Sequence, residues 1–289
     1  MMTASNRRLR AAGLLIILML TQLYLGPTQI LTEPNPIRDS SNGRSSLVDN
    51  GDGTWTVTYV IDEDVTIDSG NASISLPHES ILEVGHTDTP LVDKNVIMGL
   101  DLSAVGFWTN ATIVNASLDL HLESVVGQAE IHVWKVLRED WSDSESTWNA
   151  RSSSQDWEYG GAMGNMDSGG LMDKLTIQSS DSFVSLDVTR AMLIGQYRQM
   201  NSMDPRAGVL LTSGGDGSDT SARIHSSEST LIGNQPTWSV TFRWANPTTL
   251  SNQPSWIDIY PKPIASVYAD SQLELSATIR SECGFKVSA

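Results

Sequence analysis

Between Trp55 and Trp244 the chain is a succession of short runs in which apolar and polar residues alternate, each closed by Gly, Pro, Asn, Asp or Ser. After an opening run, in which Trp55, Val57, Tyr59 and Ile61 alternate with Thr56, Thr58 and Val60, further runs fall at 81–84, 96–102, 113–122, 130–137, 183–188, 209–212, 222–225 and 238–244. In residues 117–123, Leu118, Leu120 and Leu122 point one way while Asp119, His121 and Glu123 point the other, as a half-buried strand requires. So many short strands without intervening helices restrict the fold to a β-sandwich or barrel. One helix is expected at 190–200, where Met192, Leu193, Gln196, Tyr197 and Met200 recur at helical spacing behind Asp187 or Thr189 as N-cap.

The ends read differently. Arg7, Arg8 and Arg10 precede an apolar run at 11–25, interrupted only by Thr21 and Gln22, which marks residues 1–29 as a signal peptide or an uncleaved N-terminal anchor. Either one sends the rest of the chain outside the cell, and an uncleaved anchor is the only membrane contact expected. The single Cys283 permits no internal disulfide, so the fold must rest on a packed core. Residues 30–47 form a linker rich in Pro, Ser, Asn and Arg. Asp49-Asn50-Gly51-Asp52-Gly53-Thr54 is a tight turn; as a calcium loop it would put Tyr59 where an EF-hand needs Glu. Residues 48–245 then form the main domain. Residues 246–289 are a second linker and the start of another β domain of immunoglobulin type: Leu273, Leu275, Ala277 and Ile279 alternate, but the chain stops too soon to complete a sandwich.

Leu100-Asp101-Leu102-Ser103, Trp141-Ser142-Asp143-Ser144-Glu145-Ser146-Thr147-Trp148-Asn149, Asp187-Val188-Thr189 and Ile224-His225-Ser226-Ser227-Glu228-Ser229 follow one another in that order. This composite resembles the DNRLRE family, also described as disaggregatase-related: secreted, all-β, jelly-roll-like and mostly non-catalytic domains of larger surface proteins. The resemblance covers roughly residues 60–245. The chain departs from it at Gly99-Leu100-Asp101-Leu102-Ser103, where members usually carry an arginine before their phenylalanine-aspartate-leucine-serine phrase.

A net charge of -16, from 34 acidic and 18 basic residues, repels phosphate backbones and excludes nucleic acid as a partner. Catalytic patterns are also missing. His78, His86, His121, His132 and His225 form no metalloprotease spacing and no nucleophile elbow exists. Asp119, His121 and Glu123 share a strand face and could meet His132 across a sheet, although a solvated face explains them as well. Trp141 and Trp148 are expected to anchor the core. Trp157 and Tyr159 sit in the Ser-, Gly- and Asp-rich loop 151–170, where rings are harder to bury, and they are the candidate sugar-stacking residues. Asp216, Asp219 and Glu228 offer hard oxygen donors on loops and are the candidate ligands of a structural calcium ion.

The sequence therefore predicts an all-β chain: a jelly-roll-like β-sandwich with one short helix, followed by the incomplete start of a second, Ig-like β-sandwich. It predicts a secreted or cell-surface, non-catalytic module whose partner is a polysaccharide or cell-surface glycan, a neutral one in preference to a polyanion. A structural spacer in a large surface protein and an accessory domain of a truncated hydrolase are the alternatives.

Overall fold

The computed structural model describes residues 45–103, 111–214, 219–244, 255–260 and 276–281, the last two segments as backbone. The strands are β1 (Ser45–Asp49), β2 (Trp55–Val60), β3 (Glu63–Asp68), β4 (Ile81–Asp88), β5 (Leu91–Asp101), β6 (Ala111–Val126), β7 (Ala129–Val136), β8 (Ala150–Ser152), β9 (Gln155–Asp156), β10 (Ser168–Ile177), β11 (Phe183–Asp187), β12 (Arg206–Ser213), β13 (Thr220–His225), β14 (Thr237–Trp244), β15 (Ser255–Tyr260) and β16 (Ser276–Ser281). The one α-helix among the described residues, α1, spans Thr189–Met200.

The architecture is all-β, a curled antiparallel sheet folded into a sandwich. One layer runs β1-β2-β14-β6-β11, and the other runs β10-β7-β12-β5-β4-β13-β6, with β3 also paired to β5. β6 belongs to both. Its first part pairs with β14 and β11, and its last residues, Leu122 to Val126, pair with β13 across a register shift. Trp238, Val240 and Phe242 of β14 and Leu118 and Leu120 of β6 are fully buried, as are Val96 and Met98 of β5, Val209 and Leu211 of β12, and Val133 of β7. Alternation along these strands puts the apolar set on the inner faces, as the sequence requires.

Alternation fails in the middle of the second layer, and the failure is informative. Val96, Ile97 and Met98 are buried in succession, and so are Val209, Leu210 and Leu211. Consecutive apolar residues signal a sheet covered on both sides. The cover is the connection between β7 and β10, residues 137–167, which lays Trp141, Trp157 and Ala162 over Val65, Ile67, Ile97, Trp134, Val136 and Leu210, with Trp148 and Met163 packed at the margin. Trp141 thus anchors a core, as expected, but a core outside the sandwich, whereas Trp148 is only partly buried against it.

Several boundaries differ from expectation. β1 begins at Ser45, inside the expected linker, and pairs with β2 through a turn in which Gly51 and Gly53 adopt φ of 76° and 83°. β3 and β10 are strands that the sequence pattern does not reveal: β3 opens on Glu-Asp, and β10 opens Ser-Gly-Gly. The helix starts at Thr189, and neither expected side chain is its N-cap; Val188 holds that position, while Asp187 Oδ1 accepts the Thr189 N–H at 2.9 Å. β15 and β16 pair as a two-stranded antiparallel ladder, and of the alternating residues Leu273, Leu275, Ala277 and Ile279 the last two fall in it, in Ser276–Ser281. The N-terminal segment 1–29, most of the 30–47 linker, and residues 245–254 and 261–275 lie outside the described residues.

Because Trp141 is 2% exposed within the outer core, Trp141→Ala is expected to cost about 3–5 kcal/mol, the range of buried aromatic truncations. Urea denaturation followed by far-UV circular dichroism measures it, and a cost below about 1 kcal/mol would be typical of a surface ring instead.

Candidate functional site

The lid that covers the outer core is held by polar contacts to its own backbone. The Asp167 carboxylate, fully buried, accepts N–H bonds from Glu158 at 3.0 Å, Tyr159 at 3.1 Å and Gly164 at 3.2 Å. Arg151, also buried, donates to the Asp156 carbonyl at 2.7 Å and to Gln155 Oε1, and pairs with Asp140 at 3.0 Å. Asn95, rising from β5, donates to the Gly161 carbonyl at 2.9 Å. A second connection, between β3 and β4, is stitched to the lid: Asn149 N–H donates to the Ala72 carbonyl at 3.1 Å, and Ser75 Oγ to the Ser144 carbonyl at 3.0 Å.

Between these two connections lies an open groove of about 900 Å³. Ser73 and Ser75 line it from one connection; Thr147, Asn149 and the Ser152-Ser153-Ser154-Gln155 turn between β8 and β9 line it from the lid. Glu145 and Asp156 are its only charged lining residues. The Ser153 N–H, at 2.8 Å, holds the Glu145 carboxyl below its usual range and keeps it ionised. The groove thus presents hydroxyls, amides and carboxylates, groups that donate and accept hydrogen bonds over a small area.

The two expected stacking rings part company. Trp157 is 5% exposed and its indole N–H donates to the Thr147 carbonyl at 3.1 Å, so it belongs to the outer core and reaches the groove only as part of its floor. The expectation that a small-residue loop could not bury it is corrected, because the apolar outer face of the sheet receives it. Tyr159 is 70% exposed and immediately precedes Gly160, which lines the groove. Ser152, Ser153, Ser154 and Gln155 were not singled out by sequence reasoning, their only signal being a polar run, while Thr147 and Asn149 stand in the Trp141–Asn149 phrase without a role assigned to them.

Of the expected calcium ligands, Asp219 and Glu228 do not meet. Asp219 stands before β13, where its Oδ1 accepts the Asp88 N–H at 2.8 Å, and Glu228 lies beyond the other end of the strand. Six strand residues span about 20 Å at roughly 3.3 Å each, whereas ligands of one ion lie within about 2.6 Å of it. Asp216 lies outside the described residues, and among those described no group of three His, Cys, Asp or Glu side chains is placed to hold a metal ion. Nor do Asp119, His121, Glu123 and His132 converge. Asp119 accepts from Ser185 and Ser239 hydroxyls, His121 packs edge-on to Phe183, Glu123 pairs with Arg223, and His132 sits on β7 against Glu130.

Titration is perturbed elsewhere. Burial pushes Asp64 up to about 7, and the nearby Glu228 charge adds to the effect; its Oδ2 accepts the Ser227 N–H at 2.7 Å. Burial likewise raises Glu63 to about 7 despite its pairing with Arg206 at 3.2 Å. His86 is raised by hydrogen bonds to Asp93 at 2.6 Å and to Asp88 at 3.0 Å. These groups do not line the groove.

No family model matches the chain, and no curated protein sequence matches it. Among solved structures, a family 11 carbohydrate-binding module from Clostridium thermocellum, determined with a β-1,3-1,4-mixed-linked tetrasaccharide, overlaps 70% of this chain and 96% of its own, at 8% identity and a TM-score of 0.20. At that score no position of the groove is carried over from the module.

The three raised groups give a common pH dependence. A carboxyl that titrates near 7 in the fold and near 4 unfolded keeps its proton in the native state over that window, so stability falls as pH rises through it. A histidine with a raised value contributes stability below about 6.5 that is likewise lost as pH rises. The melting temperature is therefore expected to be higher at pH 5.5 than at pH 7.5, and Asp64→Asn to flatten that slope. A flat or rising profile in the parent would contradict it.

Proposed function

We propose that the chain is an exported, non-catalytic β-sandwich module that holds a neutral glycan in the groove between the lid and the β3–β4 connection. The observation that carries this reading is the groove's lining: Ser73, Ser75, Thr147, Asn149 and Gln155 offer donors and acceptors suited to sugar hydroxyls, and the exposed Tyr159 adjoins the lining residue Gly160 in sequence. Pyranose rings present flat apolar faces that stack on such a ring, while their edges need hydroxyl, amide and carboxylate partners. Glu145 and Asp156 accept from sugar hydroxyls and, with the net charge of -16, repel uronate and sulfate polymers. Export is supported by the basic and apolar character of the first residues.

Affinity electrophoresis through gels containing neutral polysaccharides, with a polyuronate gel as the contrast, tests the reading. Tyr159→Ala is expected to weaken retention roughly tenfold, or about 1.4 kcal/mol, with melting unchanged because the ring is exposed; Asn149→Ala and Gln155→Ala are expected to weaken it as well. Retention that survives all three substitutions would move the site, and absence of retention in the parent on every polysaccharide would leave the spacer role in its place.

A further inference from the structure

Lys135 and Glu139 form an unusual pair. Among the described residues Lys135 is the only buried lysine, and both side chains are 1% exposed. The ammonium donates to Glu139 Oε1, to the Val136 carbonyl and, at 3.3 Å, to the Gly208 carbonyl. Glu139 Oε1 also accepts the Gly208 N–H at 3.3 Å, but Oε2 is buried without a partner. Room for the carboxyl exists because residue 208 is glycine: a Cβ there would stand 2.5 Å from Oε2. Gly208 pairs in register with Gly99, over which the Trp141 ring lies, 2.9 Å from where a Cβ would be. A second buried and partnerless oxygen, Oε2 of Glu63, lies 3.4 Å from the same point.

A salt bridge alone is a costly use of such a site, since removing two ions from water takes several kcal/mol each and leaves one carboxyl oxygen unsatisfied here. Burial lowers the Lys135 pKa and so makes the neutral, nucleophilic amine accessible. Transfer of one ammonium proton to the carboxylate leaves an amine against a carboxyl in a place from which water is excluded, a pair able to condense. We propose that Lys135 Nζ and Glu139 Cδ are joined by an intramolecular amide that forms once the fold has closed over them. This does not depend on the glycan reading.

The step balances without an added reagent. The Nζ lone pair forms the N–C bond to Cδ as the carbonyl π electrons move to oxygen, where the Gly208 N–H donates to the developing oxyanion. Collapse of that tetrahedral carbon breaks the other C–O bond. The hydroxyl leaves as water with a proton from Nζ, and Glu63, across the Gly99–Gly208 pair, is the acid that carries it. One water is lost and nothing is oxidised or reduced.

Intact-mass spectrometry of the purified, folded full chain decides the matter. The expected mass is lower than that of the sequence by one water, with fragmentation placing the loss between Lys135 and Glu139 and tryptic cleavage after Lys135 suppressed. Lys135→Met is expected to restore the full mass calculated for that variant, and Glu63→Gln to raise the uncondensed fraction. The full sequence mass in folded parent protein would overturn the bond and leave an ion pair. So would a loss of water mapped instead to Asp52-Gly53 or Asp216-Gly217, where succinimides form with the same mass change. Complete condensation in Glu63→Gln would overturn the part assigned to that acid.

Discussion

Everything distinctive about this sandwich follows from one sheet that is apolar on both faces. Ile97 and Leu210 point away from the sandwich core, and together with Val65, Ile67, Trp134 and Val136 they would leave a large hydrophobic surface in water. Each such side chain is worth roughly 1.5–3 kcal/mol when buried, so covering the face outweighs the ordering of a long connection. The lid is therefore a third layer of the fold, and the groove exists because that layer has an upper surface of its own.

Two kinds of residue share the work in the lid. Tryptophans drive it onto the sheet, while Asp167, Arg151 and Asn95 supply the backbone partners that an irregular segment needs once it is out of water. Rigidity at the groove follows from that division. The hydroxyls and amides lining it stand on a backbone fixed from below by buried polar contacts, so a ligand would meet a surface already ordered, which lowers the entropic cost of binding.

The sandwich was legible because its strands obey the period of two, and Leu118, Leu120 and Leu122 against Asp119, His121 and Glu123 are sufficient to place β6. The lid was half legible. The ring of Trp141 was assignable to a core by its size, whereas Trp157 was not, because a loop rich in Ser, Gly and Asp looks soluble until the face that receives it is known. The non-alternating triplets Val96-Ile97-Met98 and Val209-Leu210-Leu211 carried that information. Asp219 and Glu228 show the converse limit: residues close in sequence, separated by an extended strand, stand far apart in space.

β6 has a temporal consequence. Every strand that pairs with it, β11, β13 and β14, is made after it, and β14 is also the partner that β2 awaits. On a ribosome adding about 5–20 residues per second, the edge of β6 that β14 covers waits unpaired for several seconds until Trp244 emerges, long after a local hairpin such as β1–β2 has closed. Completion of the barrel-like curl is thus timed by the last strand of the domain, and loop-closure entropy makes it slow. In that interval the open edge of β6 is a template for the same strand in a neighbouring nascent chain, a hazard that comes from the order of the strands.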